Sequence, residues 1–231
     1  MKLCVALDLS SAAENLAVVS QLSGLDIWLK IGLRSFIRDG WKFVDAARRE
    51  SGAKIFLDLK LYDIPNTMAD SAREIADRGV EMFNIHASAG KTAMERAAAA
   101  IANSAAKPIL LAVTALTSFS ADEFAAVYHA EVEAAAREMA LMARGAGLNG
   151  VVCSVWEARA IKAAAQKNFI ALTPGIRFAD GAADDQSRVA TPEEAARQGA
   201  DFIVMGRPII ADRDPRSAAI RALNAIKNNA H

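Results

Sequence analysis

Eight short apolar runs recur along this chain, with Ala-rich, charged stretches of helical character between them. The runs are Leu3–Leu7, Ile27–Ile31, Lys54–Leu59, Met82–Ile85, Pro108–Val113, Gly150–Cys153, Phe169–Leu172 and Phe202–Met205. A short apolar run bounded by turn signals has the length and character of a strand buried on both faces. Strands that alternate with helices pair in parallel, because each return passes through a crossover helix. Eight such units in 231 residues favour an α/β fold of the (β/α)8 TIM barrel type. An open doubly wound sheet is the alternative. It would normally carry a Gly-rich turn after its first strand, and Asp8-Leu9-Ser10-Ser11 has no glycine.

The helical stretches carry their own boundary signals. Ser11 with Glu14, and Thr191 with Glu194, have capping-box spacing, and Pro192 suits the first helical position. Asp214-Pro215 opens a last helix in the same style, and Val132–Arg144 reads as a helix ended by Gly145. No Pro/Gly/Ser-rich linker, charge block or low-complexity tract divides residues 1–231, which therefore read as one domain.

Composition excludes several classes of function. Net charge is zero and no basic stripe is present, which argues against a nucleic-acid partner. No apolar run approaches the roughly 18 residues of a membrane span, and the chain passes from Lys2 directly into its first strand without a signal-peptide pattern. Cys4 and Cys153 lie in apolar runs, where they read as small buried hydrophobes rather than ligands or a disulfide. A reducing cytoplasm is the expected compartment. No HExxH, paired Cys, metal-spaced acidic cluster, GxSxG elbow or Walker A loop occurs, so the expected site uses neither metal nor cofactor.

In a barrel the active site lies at the C-terminal ends of the strands. Those ends here carry Asp8 after the first run, Lys30 in the second, and Asp58 and Lys60 in the third. His86 follows the fourth, Thr114 and then Thr117-Ser118 the fifth, Thr173 and Arg177 the seventh, and Gly206-Arg207 the eighth. Positions i and i+2 of a strand share a face, so Asp58 and Lys60 leave the third strand side by side, with Asp63 beyond them in the turn. Charges at the end of an apolar strand are costly unless paired. Two readings fit: an ion pair that closes the strand, or a catalytic lysine held charged between carboxylates. Lys30 could snorkel to the mouth, Asp8 could cap the first helix, and His86 reads as a rim residue rather than a general base. Arg177 and Arg207 stand after strands seven and eight, where barrels often bind phosphate, and Gly206 would let the backbone approach a ligand. Between them, residues 178–189 form a long polar stretch with Gln186, the pattern of a lid.

With these pieces in place, the chain resembles the orotidine 5′-phosphate decarboxylase family over essentially its full length. The resemblance rests on DLKLYDIPNT (58–67), NIHASAG (84–90), VTALTS (113–118), GVVCS (150–154), TPGIR (173–177) with Gln186, and VMGRP (204–208). It implies a homodimeric barrel that removes CO2 from orotidine 5′-monophosphate to give UMP without metal or cofactor. By resemblance Lys60 is the proton donor, and Lys30, Asp58, Lys60 and Asp63 form an alternating charge network. Asp63 and Thr67 would reach across the dimer, Thr67 to the ribose, while Asp8 lies near the ribose hydroxyls. Thr117 and Ser118 would contact the pyrimidine, and Gln186, Arg177, Gly206 and Arg207 would grip the phosphate. A magnesium-dependent sister enzyme, 3-keto-L-gulonate 6-phosphate decarboxylase or hexulose phosphate synthase, shares the Asp-x-Lys-x-x-Asp core. Ile64-Pro65-Asn66-Thr67 and Thr117-Ser118 argue for the pyrimidine enzyme instead. A silent nucleotide-phosphate binder would have no use for the charge network.

Overall fold

The computed structural model describes residues 1–179 and 189–228. Its first half runs β1 (Lys2–Ala6), α1 (Ala12–Leu22), β2 (Trp28–Gly32), α2 (Leu33–Ser51), β3 (Lys54–Leu61), α3 (Pro65–Asp77), β4 (Met82–His86) and α4 (Lys91–Ile101). The second half runs β5 (Ile109–Val113), α5 (Ala121–Tyr128), α6 (Val132–Gly145), β6 (Gly150–Val152), α7 (Val155–Ala165), β7 (Ile170–Thr173), α8 (Pro192–Arg197), β8 (Phe202–Met205), α9 (Arg207–Ile210) and α10 (Pro215–Asn228). All eight strands pair in parallel with their sequence neighbours, and β1 pairs β8, so the sheet closes into a barrel in the order β1 to β8. The alternation of apolar runs thus corresponds strand for strand to a (β/α)8 barrel, and the open sheet is excluded.

The strands alternate between two cores, as a period of two requires. Cys4, Trp28, Phe56, Met82, Leu111 and Phe202 fill the barrel interior. Leu3, Val5, Leu29, Ile31, Leu57 and Phe83 point outward into a larger layer shared with the helices. Both sets are buried, so neither face of the sheet is polar, and the strands read as continuous apolar runs rather than alternating ones. Cys4 and Cys153 are both buried. Burial pushes the Cys4 thiol well above its ordinary value, so it stays protonated and packs as a hydrophobe.

The helix starts match their signals. Ser11 and Thr191 each accept from the backbone N–H three residues on, and Glu14 and Glu194 return the bond, which completes two capping boxes. Asp214 accepts from the Ser217 N–H at the start of α10. Asp8 does not cap α1, because Ser11 holds that place. One boundary differs from expectation. α6 takes in Gly145, and the left-handed turn falls at Gly147 with φ 85°. Glycine is needed where φ turns positive, and Gly145 is not that residue.

Candidate active site

The inward columns of the barrel turn polar at their C-terminal ends. Above Ala6 comes Asp8, above Trp28 comes Lys30, and above Phe56 come Asp58 and then Lys60. These side chains open into a cavity of about 580 Å3 at that end of the barrel. Its wall also takes in Thr117 and Ser118 after β5, Arg177 after β7, and Gly206 and Arg207 after β8.

Four charges alternate across one side of the cavity. Lys60 Nζ donates to Asp58 Oδ1 at 2.6 Å. Asp58 Oδ2 lies 3.2 Å from Lys30 Nζ, which lies 3.5 Å from Asp8 Oδ2. Burial disfavours the Asp58 carboxylate, but Lys30 and Lys60 outweigh it and bring its pKa down to about 2. Burial also disfavours the Lys30 ammonium, yet Asp58 and Asp8 outweigh it and raise its pKa above the ordinary lysine value. Both groups are therefore charged at neutral pH, inside a largely apolar barrel.

Asp58 and Lys60 meet as expected, but not on a regular strand. Five residues of β3, Leu57 to Leu61, run against only three of β4, Phe83 to Ile85. Within this bulge Lys60 takes φ 52°, in the left-handed region. That conformation costs a non-glycine residue on the order of 1 kcal/mol, so the surroundings must hold it. They do so through Asn84, whose Oδ1 accepts the Lys60 backbone N–H at 2.8 Å. Asn84 is fully buried and also donates from Nδ2 to Asp58 Oδ1 at 2.7 Å.

Sequence reasoning passed over Asn84. The signal was its place two residues before His86 on the inward column of β4, where an apolar run turns polar. Two further residues were missed. Gly32 leaves room for the charge chain, since a Cβ there would come within 3.0 Å of Lys30 Nζ and 3.4 Å of Asp8 Oδ1. Arg34, in the first turn of α2, lines the cavity and donates to the Asp8 carbonyl at 3.2 Å.

Other expected residues divide in three ways. Thr114 and Thr173 are buried and donate to the carbonyls of Val152 and Phe202, so they extend the strand pairing and do not face the cavity. His86 also lies outside the cavity wall, packed edge-on against Tyr62 at 5.7 Å. Its Nδ1 is buried and has no hydrogen-bond partner among the described residues. Burial, and then the Lys60 ammonium, hold its pKa below the usual histidine value, which keeps it neutral. Asp63 and Thr67 are exposed and lie outside the cavity of their own chain, with Asp63 Oδ1 accepting the Ile64 N–H at 2.6 Å. Gln186 lies outside the described residues.

At the far end of the cavity, the backbone hydrogen bonds Arg177 N–H to Ala190 C=O (3.0 Å) and Ala190 N–H to Gly175 C=O (3.2 Å) join the two ends of the β7–α8 connection. A Cβ at Gly206 would make only ordinary contact with Ala6, at 3.5 Å, so the protein leaves the space beside this backbone largely open. Arg177, after β7, and Arg207, at the start of α9, both line the cavity, as do Lys30 and Lys60. Such a site suits an anionic ligand.

Known proteins share this sequence and fold. The family model described as orotidine 5'-phosphate decarboxylase / HUMPS family matches residues 1–222. The orotidine 5'-phosphate decarboxylase of Campylobacter concisus (strain 13826) is 50% identical over 226 residues, which cover 98% of this chain and 100% of that protein. That of Sulfurovum sp. (strain NBC37-1) is 50% identical over 227 residues, covering 98% of this chain and 99% of that one. The crystal structure of orotidine 5'-phosphate decarboxylase from Lactobacillus acidophilus superposes with a TM-score of 0.84 at 31% identity, covering 97% of this chain and 98% of that one. A closed parallel barrel, a lysine–aspartate chain at its mouth and these full-length likenesses lead to one conclusion: the chain belongs to the orotidine 5'-phosphate decarboxylase / HUMPS family.

Proposed function

We propose that this chain is a one-domain carboxy-lyase that converts orotidine 5′-monophosphate to UMP and CO2, with Lys60 as the proton donor. The observation that carries the reading is the 2.6 Å ion pair of Lys60 with Asp58, continued to Lys30 and Asp8 inside the barrel mouth. Cleavage of the bond from C6 to the carboxylate leaves the electron pair on C6, in the plane of the ring and outside its π-system. A fixed ammonium beside C6 stabilises that pair, and its N–H then delivers the proton to C6. The amine regains a proton from solvent. Written this way the reaction balances without an electron acceptor or a metal. Asp58 holds the Lys60 side chain in place, and Lys30 neutralises the second Asp58 oxygen.

The remaining assignments follow the cavity wall. Asp8 and Lys30 face the ribose, Thr117 and Ser118 the pyrimidine, and Arg177, Gly206 and Arg207 the phosphate, with Gln186 as a further phosphate ligand. Binding energy from the phosphate, remote from C6, is expressed in the transition state when the site closes around the substrate. Asp63 and Thr67 act in the site of a second copy of the chain, which makes the working unit a homodimer. Their exposure supports this, as does that of Tyr62 and Ile64 beside them, 62% and 66% exposed. The buried thiols suit a reducing cytoplasm.

The test is the ultraviolet absorbance of orotidylate, followed with and without EDTA. Loss of absorbance at the same rate in both, with UMP as product, is the expected result. An inactive protein would overturn the reading, and activity lost to the chelator would turn it toward the magnesium-dependent sister enzymes.

A further inference from the structure

Asn84 has a partner at each end of its amide, and the two partners fix its orientation. The Lys60 backbone N–H can only donate, so the group facing it at 2.8 Å must be Oδ1. The Asp58 carboxylate can only accept, so the group facing it at 2.7 Å must be Nδ2. The Asp58 oxygen that takes this bond, Oδ1, is the one that takes Lys60 Nζ. One side chain therefore holds both the main chain of Lys60 and the carboxylate that holds its ammonium.

The Lys60 main chain is the partner that depends most on this bond, since Asp58 also holds Lys60 and Lys30. Lys60 lies inside the register shift between β3 and β4, where its N–H bonds to the Asn84 side chain. Its φ of 52° is unfavourable for a lysine and persists only if something pins it. An aspartate at 84 would set a carboxylate against Asp58, and an apolar residue would take the acceptor from the Lys60 N–H and one of three donors from Asp58. Only a side chain with one acceptor and one donor completes the corner. Asn84 is fully buried and lies outside the cavity wall, so it touches no substrate.

We propose that Asn84 is a positioning residue for decarboxylation, clamping the left-handed backbone of Lys60 and the Asp58 carboxylate so that the ammonium enters the cavity at one place. This rests on the decarboxylase reading. The clamp acts on the reacting end of the site and leaves the phosphate end alone. Its loss should therefore lower kcat much more than it raises KM.

The experiment compares wild type, Asn84→Ala and the isosteric Asn84→Asp in orotidylate turnover. It also measures binding of UMP and of a UMP analogue with an anionic oxygen on C6. Misplacing a reacting group by about 1 Å costs roughly 10²-fold, so Asn84→Ala should lose about that factor in kcat with KM changed less than about threefold. The C6-oxyanion analogue should lose a comparable factor, roughly 10²-fold, while UMP holds within about threefold, because only the analogue needs the ammonium in place. Asn84→Asp keeps the acceptor for Lys60 but not the donor for Asp58, and should lose at least about tenfold in kcat. Circular dichroism and thermal melting establish that the variants are folded. If Asn84→Ala does not fold, Asn84→Asp decides the matter. A folded variant with wild-type kcat, or one that loses UMP as strongly as the analogue, would overturn the clamp. An inactive wild type would overturn the decarboxylase reading itself, whereas an active wild type beside an active variant would overturn only the role of Asn84.

Discussion

Asp58 to Lys60 and Tyr62 to Thr67 are neighbours in one short segment, yet the fold treats them in opposite ways. Asp58 and Lys60 are tied to Lys30, Asp8 and Asn84 by bonds within one chain. Tyr62, Asp63, Ile64 and Thr67 are exposed and do not line the cavity of their own barrel. Asp63 takes part in no ion pair among the described residues. The first part is organised before any ligand or partner arrives, because an unpaired charge inside the barrel would be prohibitively costly. The second part is stable in water by itself and so can serve a surface that belongs to another molecule. Two charges of one short segment, Asp58 and Asp63, thus differ in burial and in partners although they stand five residues apart.

The largest expected effect tests the inner corner. Lys60→Ala should lower decarboxylation by about 10⁴-fold or more while the protein stays folded, since it removes both the proton and the charge beside C6. Turnover near the wild-type rate would take Lys60 out of the chemistry.

Nearly as large is the effect that tests the outer turn. Lys60→Ala and Asp63→Ala should each be inactive alone, and subunit exchange between them should restore roughly a quarter of wild-type sites. Half the dimers are then mixed, and each mixed dimer carries one intact and one doubly defective site. If native mass spectrometry shows exchange and activity stays at background, Asp63 works within its own subunit and the contrast between the two regions collapses.

Arg207→Ala should lower kcat/KM for orotidylate by about 10²-fold, the worth of a lost pair of charge-assisted hydrogen bonds. Orotidine, which lacks the phosphate, should be affected far less. Equal losses for both would place Arg207 away from the phosphate.

Acid titration measures how tightly the inner corner is held. Asp58 has its folded pKa lowered from 3.8 to about 2. Because the folded value is the lower one, the stabilisation is present above pH 4 and is lost as pH falls toward 2. It amounts to roughly 2 kcal/mol. The stability gap between wild type and Asp58→Asn, measured by urea unfolding across this range, should narrow on acidification. A constant gap would mean that Asp58 is not held by the lysines in the folded state.

The smallest effect concerns Gly32. Gly32→Ala puts a methyl group 3.0 Å from Lys30 Nζ, and the flexible lysine can retreat by a few tenths of an ångström. Turnover should fall about tenfold or less with melting nearly unchanged, since the displacement is well below 1 Å. A collapse of stability instead would show that Gly32 serves packing rather than the charge chain.

The sequence made the barrel legible because a parallel strand covered on both faces has to be apolar throughout, and eight such runs with helices between them leave few topologies. It also made Asp58 and Lys60 legible, since a period of two puts them on one face. What it hid were the exceptions to that period. Asn84 looked like a polar interruption in an apolar run, because its partners lie 24 and 26 residues away on the neighbouring strand. Thr114 and Thr173 stood among the polar residues at strand ends, and only the neighbouring strands show that their hydroxyls donate to strand carbonyls.

The sequence by itself therefore determined the strand order, the capping boxes at Ser11 and Thr191 and the set of charges that collect at the strand ends, all of which follow from local patterns of hydrophobicity and side-chain chemistry. Only the tertiary structure decided which of those charges meet. Closure of the barrel carries Asp8, Lys30 and Asp58 from three strands to within 3.5 Å of one another along the chain. The register shift between β3 and β4 turns the Lys60 backbone left-handed and gives Asn84 its two partners. Register and close approach depend on how distant strands are staggered, and a linear sequence states that stagger nowhere.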